Sequence, residues 1–397
     1  SLFLSIMKFT SIDLFSGAGG LTHGLNQSGF QTLFASDFDR QVSETFQKNF
    51  KKVRFLCEDI KKINFSNIKK EIGLKKNDLD LVVGGPPCQG FSMANRKRIE
   101  DDPRNLLFRN FYNAVKILQP KCFLIENVAG LKSEDISLRT KQQPAMHAIA
   151  NYFKSIDYEI KFLTFRSEEF GIPQFRRRVL IIGTNISSKK DLLKKKEIGN
   201  LHGKYKSYES IKNENVNQSE LFLNEKPNPF FVWDALSDLP KIKAGQNGEE
   251  KDYTSEPKND YQKLMRKNSK QVYNHIATPH DEMAIKRIKL IKQGQNFRDL
   301  PKNLQTKSVH SGAWGRLEAN GLAPTITTRF DTPSVGRVIH PYQDRTLTVR
   351  EAARIQSFPD DFVFYGNRTS QGIQVGNSVP PLVGKAIGKM FIKQFLN

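Results

Sequence analysis

Residues 82–92 read Val-Val-Gly-Gly-Pro-Pro-Cys-Gln-Gly-Phe-Ser, and this stretch decides the fold. The apolar run 79–83 leads into it and predicts a buried strand. Two glycines let the backbone leave that strand sharply, and two prolines fix φ and exclude helix just before Cys88. The pattern predicts a rigid exit from a sheet that holds one thiol at the carboxyl end of a strand. In open α/β sheets, ligand sites lie at that edge.

The composition indicates an anionic partner. The chain of 397 residues has a net charge of +21 and an isoelectric point of about 9.7, which favours a polyanion such as nucleic acid. Lysine bias from an AT-rich genome is the alternative explanation for part of this surplus. A hydrophobic fraction of 38% with 29 Phe supports a substantial core, and the length allows two or three domains.

The cysteines predict neither a disulfide framework nor a zinc site. Cys57, Cys88 and Cys122 form no CxxC pair, which fits a reducing cytosol. No apolar run approaches the roughly 20 residues of a membrane helix. Residues 1–7 lack the basic segment and the cleavage site of a signal peptide. We therefore expect a cytoplasmic protein.

A second informative stretch stands near the start of the chain. An apolar strand over 8–15 runs into Asp-Leu-Phe-Ser-Gly-Ala-Gly-Gly at 13–20, and a helical pattern follows over 21–28. Strand, glycine turn and helix form the layout in which backbone N–H groups approach a nucleotide-like ligand, although such turns also serve close packing alone. The stretch lacks the lysine of a phosphate-binding P-loop.

The next predicted strand, 31–36, ends at Asp37 and Phe38. An acidic residue at the end of the second strand is the expected partner of ribose hydroxyls, and Phe38 can stack on an adenine ring. The alternative is that Asp37 caps the helix predicted over 40–49, because aspartate is a favoured N-cap residue. The preceding glycine turn favours the ribose interpretation.

Two later segments carry charged side chains. A buried strand over 122–125 is followed by Glu-Asn-Val at 126–128, whose carboxylate either caps a turn or serves as acid or hydrogen-bond partner beside a nucleophile. Further on, Gln-Phe-Arg-Arg-Arg occupies 174–178. Residues two apart in a strand share a face, so Arg176 and Arg178 are predicted to lie on the same side.

Together these strings resemble the cytosine-C5 DNA methyltransferase family. In chain order they are Asp-Leu-Phe-Ser-Gly-Ala-Gly-Gly (13–20), Pro-Pro-Cys-Gln-Gly-Phe-Ser (86–92), Glu-Asn-Val (126–128), Gln-x-Arg-x-Arg (174–178) and Gly-Asn-Ser-Val (376–379). The resemblance covers nearly the whole chain apart from 186–310. It implies an α/β fold with a doubly wound, Rossmann-like S-adenosylmethionine-dependent methyltransferase domain and a second, smaller target-recognition domain.

The resemblance also implies a domain order. Residues 8–185 would form the catalytic and cofactor-binding domain, 186–345 the target-recognition domain, and 346–397 a hinge and a C-terminal helix that returns beside the first strand. This last helix is predicted to run from 375 to 395, and Thr348 with Glu351 three residues later predicts a capping box for an earlier helix. Segment 186–310 is lysine-rich and broken by Pro and Gly, and its scattered Asn and Gln side chains suit base-edge readout. Three histidines in this region lack paired ligands and predict no metal site: His275, His280 and His310.

Each group of site residues follows from the resemblance. The implied catalytic residues are Cys88, Glu126, Arg176 and Arg178. The implied S-adenosylmethionine contacts are Phe15, Ser16, Gly17, Ala18, Gly19, Gly20, Asp37, Phe38, Asp59, Ile60, Pro87, Leu107, Asn377 and Val379. The implied DNA contacts, in and beside a polar loop over 93–104 that closes over DNA in the family, are Gln89, Ser92 and Arg96.

The implied reaction converts cytosine in duplex DNA to 5-methylcytosine. A cytosine leaves the base stack, and the Cys88 thiolate adds to C6. Glu126 holds N3 and the amino group, while Arg178 contacts O2 and its charge favours the thiolate. S-adenosylhomocysteine is the other product, and no metal is needed.

Three other classes fit the sequence less well. A tRNA cytosine-C5 methyltransferase would have a short recognition region, unlike 186–310. A catalytically silent DNA-binding relative would not need Cys88, Glu126 and Arg178 intact. Adenine-N6 and cytosine-N4 enzymes need Asp/Asn-Pro-Pro-aromatic where this chain has Gly-Pro-Pro-Cys. We expect a bacterial monomer on double-stranded DNA, associated with the nucleoid, that protects host DNA in a restriction–modification system beside a cognate endonuclease.

Overall fold

The structure is a computed structural model. It describes residues 9–75, 78–86, 106–128, 144–193, 199–214, 226–308 and 311–397. Five predicted site residues lie outside the described residues: Cys88, Pro87, Gln89, Ser92 and Arg96. His310 lies outside them as well.

The chain divides into two compact units. The first comprises Ser1–Arg166, Arg177–His202 and Val383–Asn397. The second comprises Ser167–Arg176 and Gly203–Leu382. Segment 186–202 thus groups with the predicted catalytic part, and 346–382 groups with the predicted recognition part. The division into catalytic, recognition and hinge roles stays a prediction.

The first unit is built on one sheet of eight strands. The strands are β1 (Phe9–Leu14), β2 (Phe30–Asp37), β3 (Arg54–Cys57), β4 (Leu81–Gly84), β5 (Cys122–Val128), β6 (Glu159–Arg166), β7 (Arg177–Thr184) and β8 (Gly199–Leu201). Their order is β3-β2-β1-β4-β5-β7-β6-β8, and β7 runs antiparallel to both of its neighbours. The order reverses between β1 and β4, the place where doubly wound sheets open a crevice for ligands.

Six helices accompany this sheet in the described residues. They are α1 (Gly20–Ser28), α2 (Arg40–Asn49), α3 (Phe65–Glu71), α4 (Leu106–Leu118), α5 (Pro144–Lys154) and α12 (Pro381–Phe391). Alternation along β1 sends Ile12 and Leu14 into a core shared with α4 and α5, while Asp13 faces Thr22 of α1. The elements predicted over 8–15, 21–28, 31–36, 40–49 and 79–83 are observed with ends shifted by at most a few residues, and α2 has the predicted bounds.

The C-terminal helix α12 packs closely on α1. A Cβ at Gly384 would lie 3.1 Å from the Leu21 carbonyl oxygen, and one at Gly388 would lie 2.0 Å from Ser28 Oγ. The prediction of one helix from 375 to 395 is wrong, because Pro380 and Pro381 separate two helices there. Beyond Phe391 the chain adds one π-helical turn, Ile392–Leu396.

The second unit contains short helices and a pair of strands. The helices are α6 (Tyr208–Glu214), α7 (Val232–Leu236), α8 (Asp260–Arg266), α9 (Glu282–Leu290), α10 (Val349–Ile355) and α11 (Arg368–Asn377), and the strands are β9 (Gly315–Arg316) and β10 (Arg337–Ile339). The predicted capping box of α10 is confirmed: the Thr348 side chain accepts from Glu351 N–H, and the Glu351 carboxylate accepts from Thr348 N–H.

A buried charge network organises the second unit. Arg345 binds Glu351 through two contacts of 2.7 Å. Arg354 donates to Asp360 at 2.7 Å and to Asp238 at 2.9 Å, and all three side chains are fully buried. Such charges are tolerated in a core because each is paired and hydrogen-bonded.

Candidate active site

The register of the sheet brings several predicted site residues to one edge. Leu14 lies opposite Ser36 on one side and Gly84 on the other, and Gly84 lies opposite Ile125. The strands β1, β2, β4 and β5 are parallel, so their carboxyl ends meet at the same edge. The glycine turn after β1, Asp37, the turn before Cys88 and Glu126 therefore belong to one rim.

The glycine turn after β1 is held by backbone and carboxylate contacts. Phe15 adopts the left-handed region at φ 57°, an uncommon conformation for a residue with a Cβ. Ser16 N–H donates to the Ser36 carbonyl at 3.1 Å, and Gly17 N–H donates to Asp37 Oδ2 at 2.9 Å. Gly19 is the N-cap of α1 with φ 95°, which glycine adopts without strain.

The structure shows whether Asp37 caps helix α2. The N-cap of α2 is Asp39, whose side chain accepts from Gln41 N–H at 2.9 Å. Asp37 instead accepts from Gly17 N–H and from Asp39 N–H. The helix-capping alternative is therefore wrong. Burial raises the pKa of Asp37, and the hydrogen bonds from Asp39 and Gly17 oppose that shift.

The remaining predicted cofactor contacts of the first unit differ in exposure. Phe38 is 74% exposed, so its ring is available for stacking. Ile60 is buried in the main core, and Leu107 packs against the same core. Asp59 caps a short 3₁₀ turn by accepting from Lys61 N–H. Four residues of the glycine turn are buried: Ser16, Ala18, Gly19 and Gly20.

Asp13 is a buried acid that the sequence analysis did not single out. Its carboxylate accepts from Thr22 Oγ1 at 2.6 Å, and 1% of the residue is exposed. Burial raises the pKa of Asp13 to about 7; the Thr22 hydrogen bond opposes this and the nearby Asp37 adds to it. The signal in the sequence was an aspartate inside an otherwise apolar strand.

Asp13→Asn is expected to make the slope of the free energy of unfolding against pH more positive between pH 5 and 7. The folded pKa of about 7 lies above the unfolded value of about 3.9, so folded Asp13 keeps a proton that the unfolded chain releases. The contribution of Asp13 to stability therefore falls as pH rises through this window. Denaturant titrations at several pH values, with exposed Asp252→Asn as the charge control, measure the slope. Equal slopes for wild type and Asp13→Asn would contradict this.

Glu126 and Arg178 form a half-buried ion pair. Val128 lies opposite Arg178 in the β5–β7 ladder, and Glu126 is two residues from Val128, so both charged side chains share a face. Arg178 Nε lies 3.3 Å from Glu126 Oε1, with about 14% and 13% of the two side chains exposed. Burial lowers the pKa of Arg178, while the Glu126 carboxylate opposes that shift. Strand β5 continues past the predicted end at 125 because β7 pairs with 126–128.

The turn that leads to Cys88 adjoins Glu126. A Cβ built on Gly85 would lie 3.8 Å from Glu126 Oε2. Asn127 Nδ2 donates to the Pro86 carbonyl at 3.0 Å and so fixes the turn to β5. Gly84 is required by close packing, because a Cβ there would lie 2.5 Å from the Leu14 carbonyl oxygen. The role of Asn127 was not predicted from the sequence.

Arg176 and Arg178 do not share a strand face, and this part of the prediction is wrong. Strand β7 begins at Arg177, whereas Arg176 belongs to the second unit. Arg176 is buried, and its Nη1 donates to the Gly376 carbonyl at 3.2 Å. The two guanidinium groups therefore have different partners, because the chain passes between units at this point.

The remaining predicted residues lie in the second unit. Asn377 ends α11 and is exposed, and Val379 is half-buried. His275 is buried, with Nδ1 2.9 Å from Thr348 Oγ1 and Nε2 2.8 Å from the Pro240 carbonyl oxygen. Burial lowers the pKa of His275. Within the described ranges, no group of three His, Cys, Asp or Glu side chains is placed to hold a metal ion.

The sequence profile of one family spans almost the entire chain. The C-5 cytosine-specific DNA methylase profile matches residues 9–393. The chain belongs to this family. It is therefore a C-5 cytosine-specific DNA methyltransferase by family, an enzyme that acts on DNA. None of the helices in the described segments is long and apolar enough to cross a membrane.

Curated relatives and solved structures agree with the family. The enzyme is 34% identical to Type II methyltransferase M.DdeI of Desulfomicrobium norvegicum, covering 97% of this chain and 89% of the relative. It is 32% identical to Type II methyltransferase M1.HphI of Haemophilus parahaemolyticus, covering 98% and 88%. A crystal structure of a candidate DNA modification methyltransferase encoded in a prophage (E. coli) is 28% identical, covers 98% of this chain and all of that one, and has a TM-score of 0.72. Dnmt2 methyltransferase of S. pombe, 17% identical with a TM-score of 0.58 over 97% of this chain and 99% of its own, shares the fold.

Membership of the family implies S-adenosylmethionine as the methyl donor, and the glycine turn fits such a ligand. A Cβ built on Gly17 would meet no atom within 4 Å, so open space adjoins the backbone there. Asp37 and exposed Phe38 stand at the end of the neighbouring strand. A carboxylate for hydroxyl groups and an aromatic face for a base are the side chains that an adenosine requires.

Replacing two glycines of this turn by alanine is expected to lower ligand affinity in one variant and stability in the other. Both variants carry the backbone strain of a left-handed φ. The methyl group of Gly17→Ala otherwise meets open space, so this variant should mainly lower S-adenosylhomocysteine affinity by filling the space proposed for the ligand. Gly19→Ala would place Cβ 2.3 Å from the Phe50 ring and should mainly lower stability. Calorimetric titration and denaturant unfolding measure the two effects. Equal losses of stability in both variants would contradict this assignment.

Proposed function

We propose that this enzyme is a restriction–modification methyltransferase that flips one cytosine of a short recognition sequence out of duplex DNA and methylates its C5 with Cys88 as nucleophile. The observation that carries the proposal is the ion pair of Glu126 and Arg178 on the rim that leads to Cys88. A carboxylate and a guanidinium in one half-buried pair match the donors and acceptors of a cytosine edge.

In this proposal Glu126 binds the N3 side of the flipped cytosine and Arg178 binds O2. Attack at C6 builds negative charge toward N3 and O2, so a proton or hydrogen bond at N3 and a fixed cation at O2 favour the addition. Before DNA binds, the two opposite charges form an ion pair at 3.3 Å. Flipping costs a few kcal/mol, which the contacts in the pocket offset.

The nucleophile in the proposal is the thiolate of Cys88. A free cysteine has a pKa of about 8.5, and a nearby guanidinium shifts the balance toward the thiolate. In this proposal Arg178 provides the guanidinium that favours the thiolate. Once C5 carries the transferred methyl group, water or hydroxide in the site would remove the C5 proton as the bond between C6 and the Cys88 sulfur breaks.

Three groups that would hold S-adenosylmethionine belong to the same rim of the first unit: the glycine turn, Asp37 and Phe38. The ligand supplies an electrophilic methyl group on a sulfonium sulfur. Open space adjoins the Cα of Gly17, Asp37 would accept from the ribose hydroxyls, and Phe38 would cover the adenine ring. Asp59, Ile60, Leu107, Asn377 and Val379 remain predicted contacts from the resemblance.

The biological setting in this proposal is host protection. The relatives named above are Type II methyltransferases, so this enzyme would modify the site that a cognate endonuclease cuts. We propose a monomer that works on DNA in the bacterial cytoplasm. Its lysine-rich segment 186–310 would read the sequence, and the net charge of +21 favours association with DNA.

The test is methylation of a mixed-sequence plasmid with S-adenosylmethionine, followed by base-resolution mapping of 5-methylcytosine. We expect modification at one cytosine of one short motif, and resistance of that plasmid to an endonuclease of the same specificity. A parallel reaction contains tRNA in place of the plasmid. Methylation of tRNA alone would replace the DNA proposal, and cofactor binding without any methylation would indicate a silent DNA-binding relative.

A further inference from the structure

The carboxyl end of α11 cannot complete its own hydrogen bonds. The last carbonyls of a helix normally lack intrahelical donors and need partners from elsewhere. Here the residues four positions after Gly376 and Asn377 are Pro380 and Pro381, which have no N–H. The chain at this end also carries Asn377 and Val379, two of the predicted cofactor contacts.

Buried side chains from distant segments donate to two carbonyls at this end, of which Val375 also accepts from Ser378 N–H at 3.3 Å. Arg176 Nη1 donates to the Gly376 carbonyl at 3.2 Å, and Gln356 Nε2 donates to the Val375 carbonyl at 2.8 Å. Arg176 is 2% exposed and Gln356 is fully buried. The two contacts hold consecutive carbonyls of the last helical turn, immediately before Asn377.

The same donors are held in place by further hydrogen bonds. Gln174 Nε2 donates to Gln356 Oε1 at 3.0 Å, and Gln174 Oε1 accepts from Ile326 N–H at 2.9 Å. All of these groups are buried within the second unit. Gly376 itself packs directly on the backbone of 327–328, where an added Cβ would lie 2.6 Å from Thr327 C.

We propose that Arg176 and Gln356 are positioning residues that fix the carboxyl end of α11, and thereby Asn377 and Val379, for cofactor binding. Arg176 is then not a catalytic residue, in contrast to the role that the resemblance implies. This inference rests on the proposed function for the identity of the ligand. It separates the two arginines of the Gln-x-Arg-x-Arg string: Arg178 acts at the cytosine, and Arg176 acts through the Gly376 carbonyl.

The experiment compares Arg176→Met and Arg178→Met in the full chain by two measurements. Titration calorimetry gives the Kd for S-adenosylhomocysteine without DNA, and single-turnover methylation at saturating S-adenosylmethionine gives the rate of the chemical step. Arg176→Met should raise the Kd about tenfold or more, the effect of losing a charge-assisted hydrogen bond to a buried carbonyl. Its rate at saturating cofactor should fall far less than that of Arg178→Met, which should keep the wild-type Kd.

Two further variants keep the test decisive if Arg176→Met does not fold. Arg176→Lys retains one cationic donor and should give a Kd between those of wild type and Arg176→Met. Gln356→Leu removes the donor to Val375 and the acceptor of Gln174 Nε2, and it should raise the Kd in the same direction as Arg176→Met. An unchanged Kd in the folded Arg176 variants, with a rate loss like that of Arg178→Met, would overturn the inference. A wild-type protein that binds S-adenosylhomocysteine but does not methylate DNA would overturn only the proposed function.

Discussion

Cys88→Ala is expected to abolish methyl transfer, with a rate loss of at least about 10³-fold, because removing a nucleophile removes the covalent route itself. Binding of S-adenosylhomocysteine should persist, since the glycine turn and Asp37 are untouched. The measurement is single-turnover methylation of the mapped site. DNA with 5-fluorocytosine at that site gives a second readout, because a fluorine at C5 cannot be removed as a proton and the covalent adduct persists.

The matched control is Cys122→Ala. Cys122 is buried in β5, and burial raises the pKa of its thiol to about 12, so it stays protonated near neutral pH. This variant should retain methylation and form the adduct, with a loss of stability from the small cavity. Substantial methylation by Cys88→Ala, or loss of the adduct in Cys122→Ala alone, would rule out Cys88 as the nucleophile.

Arg354→Met is expected to destabilise the second unit by about 3–5 kcal/mol, because it leaves buried carboxylates without their partner. Arg354 binds Asp360 through two contacts of 2.7 Å and Asp238 at 2.9 Å, and none of the three is exposed. Burial alone would raise the pKa of Asp360, but Arg354 lowers it below its ordinary value. Denaturant unfolding followed by circular dichroism measures the loss.

Lys263→Met provides the control for charge removal. Lys263 pairs with Asp260 on the surface at 3.2 Å, and such pairs contribute only about 0–1 kcal/mol. A loss of stability in Arg354→Met no larger than in Lys263→Met would refute the network's role.

The same network makes stability depend on pH. Because the folded pKa of Asp360 lies below its unfolded value, the stability contributed by this group is present above the unfolded pKa of about 3.9 and is lost as pH falls below it.

Local sequence determined the order of the main elements and the character of the rim. Alternating apolar strands and glycine turns predicted β1, α1, β2 and α2, because these signals act within a few residues. The capping box of Thr348 and Glu351 was predicted for the same reason, since N-cap and N3 positions are fixed by helix geometry. The five strings at 13–20, 86–92, 126–128, 174–178 and 376–379 pointed to the family that the profile then matched.

Tertiary structure decided which of two similar residues takes each role. Asp37 and Asp39 are both suitable N-cap residues for α2. Asp39 is the N-cap in the structure, while Asp37 accepts from Gly17 N–H because the turn after β1 packs beside it. Arg176 and Arg178 look equivalent in the sequence, but their partners, the Gly376 carbonyl and Glu126, come from segments distant in the chain.

The sequence does not reveal the hydrogen-bond partners of buried polar groups in general. The prolines after α11 show from the sequence that the Gly376 carbonyl needs another donor, but not that the donor is 200 residues earlier. Hydrogen-bond partners of this kind are fixed by packing, because a buried polar group must pair with whichever complementary group the fold brings within reach. The sequence by itself therefore determined the elements, their order and the chemistry available, while the tertiary structure alone determined how those groups pair.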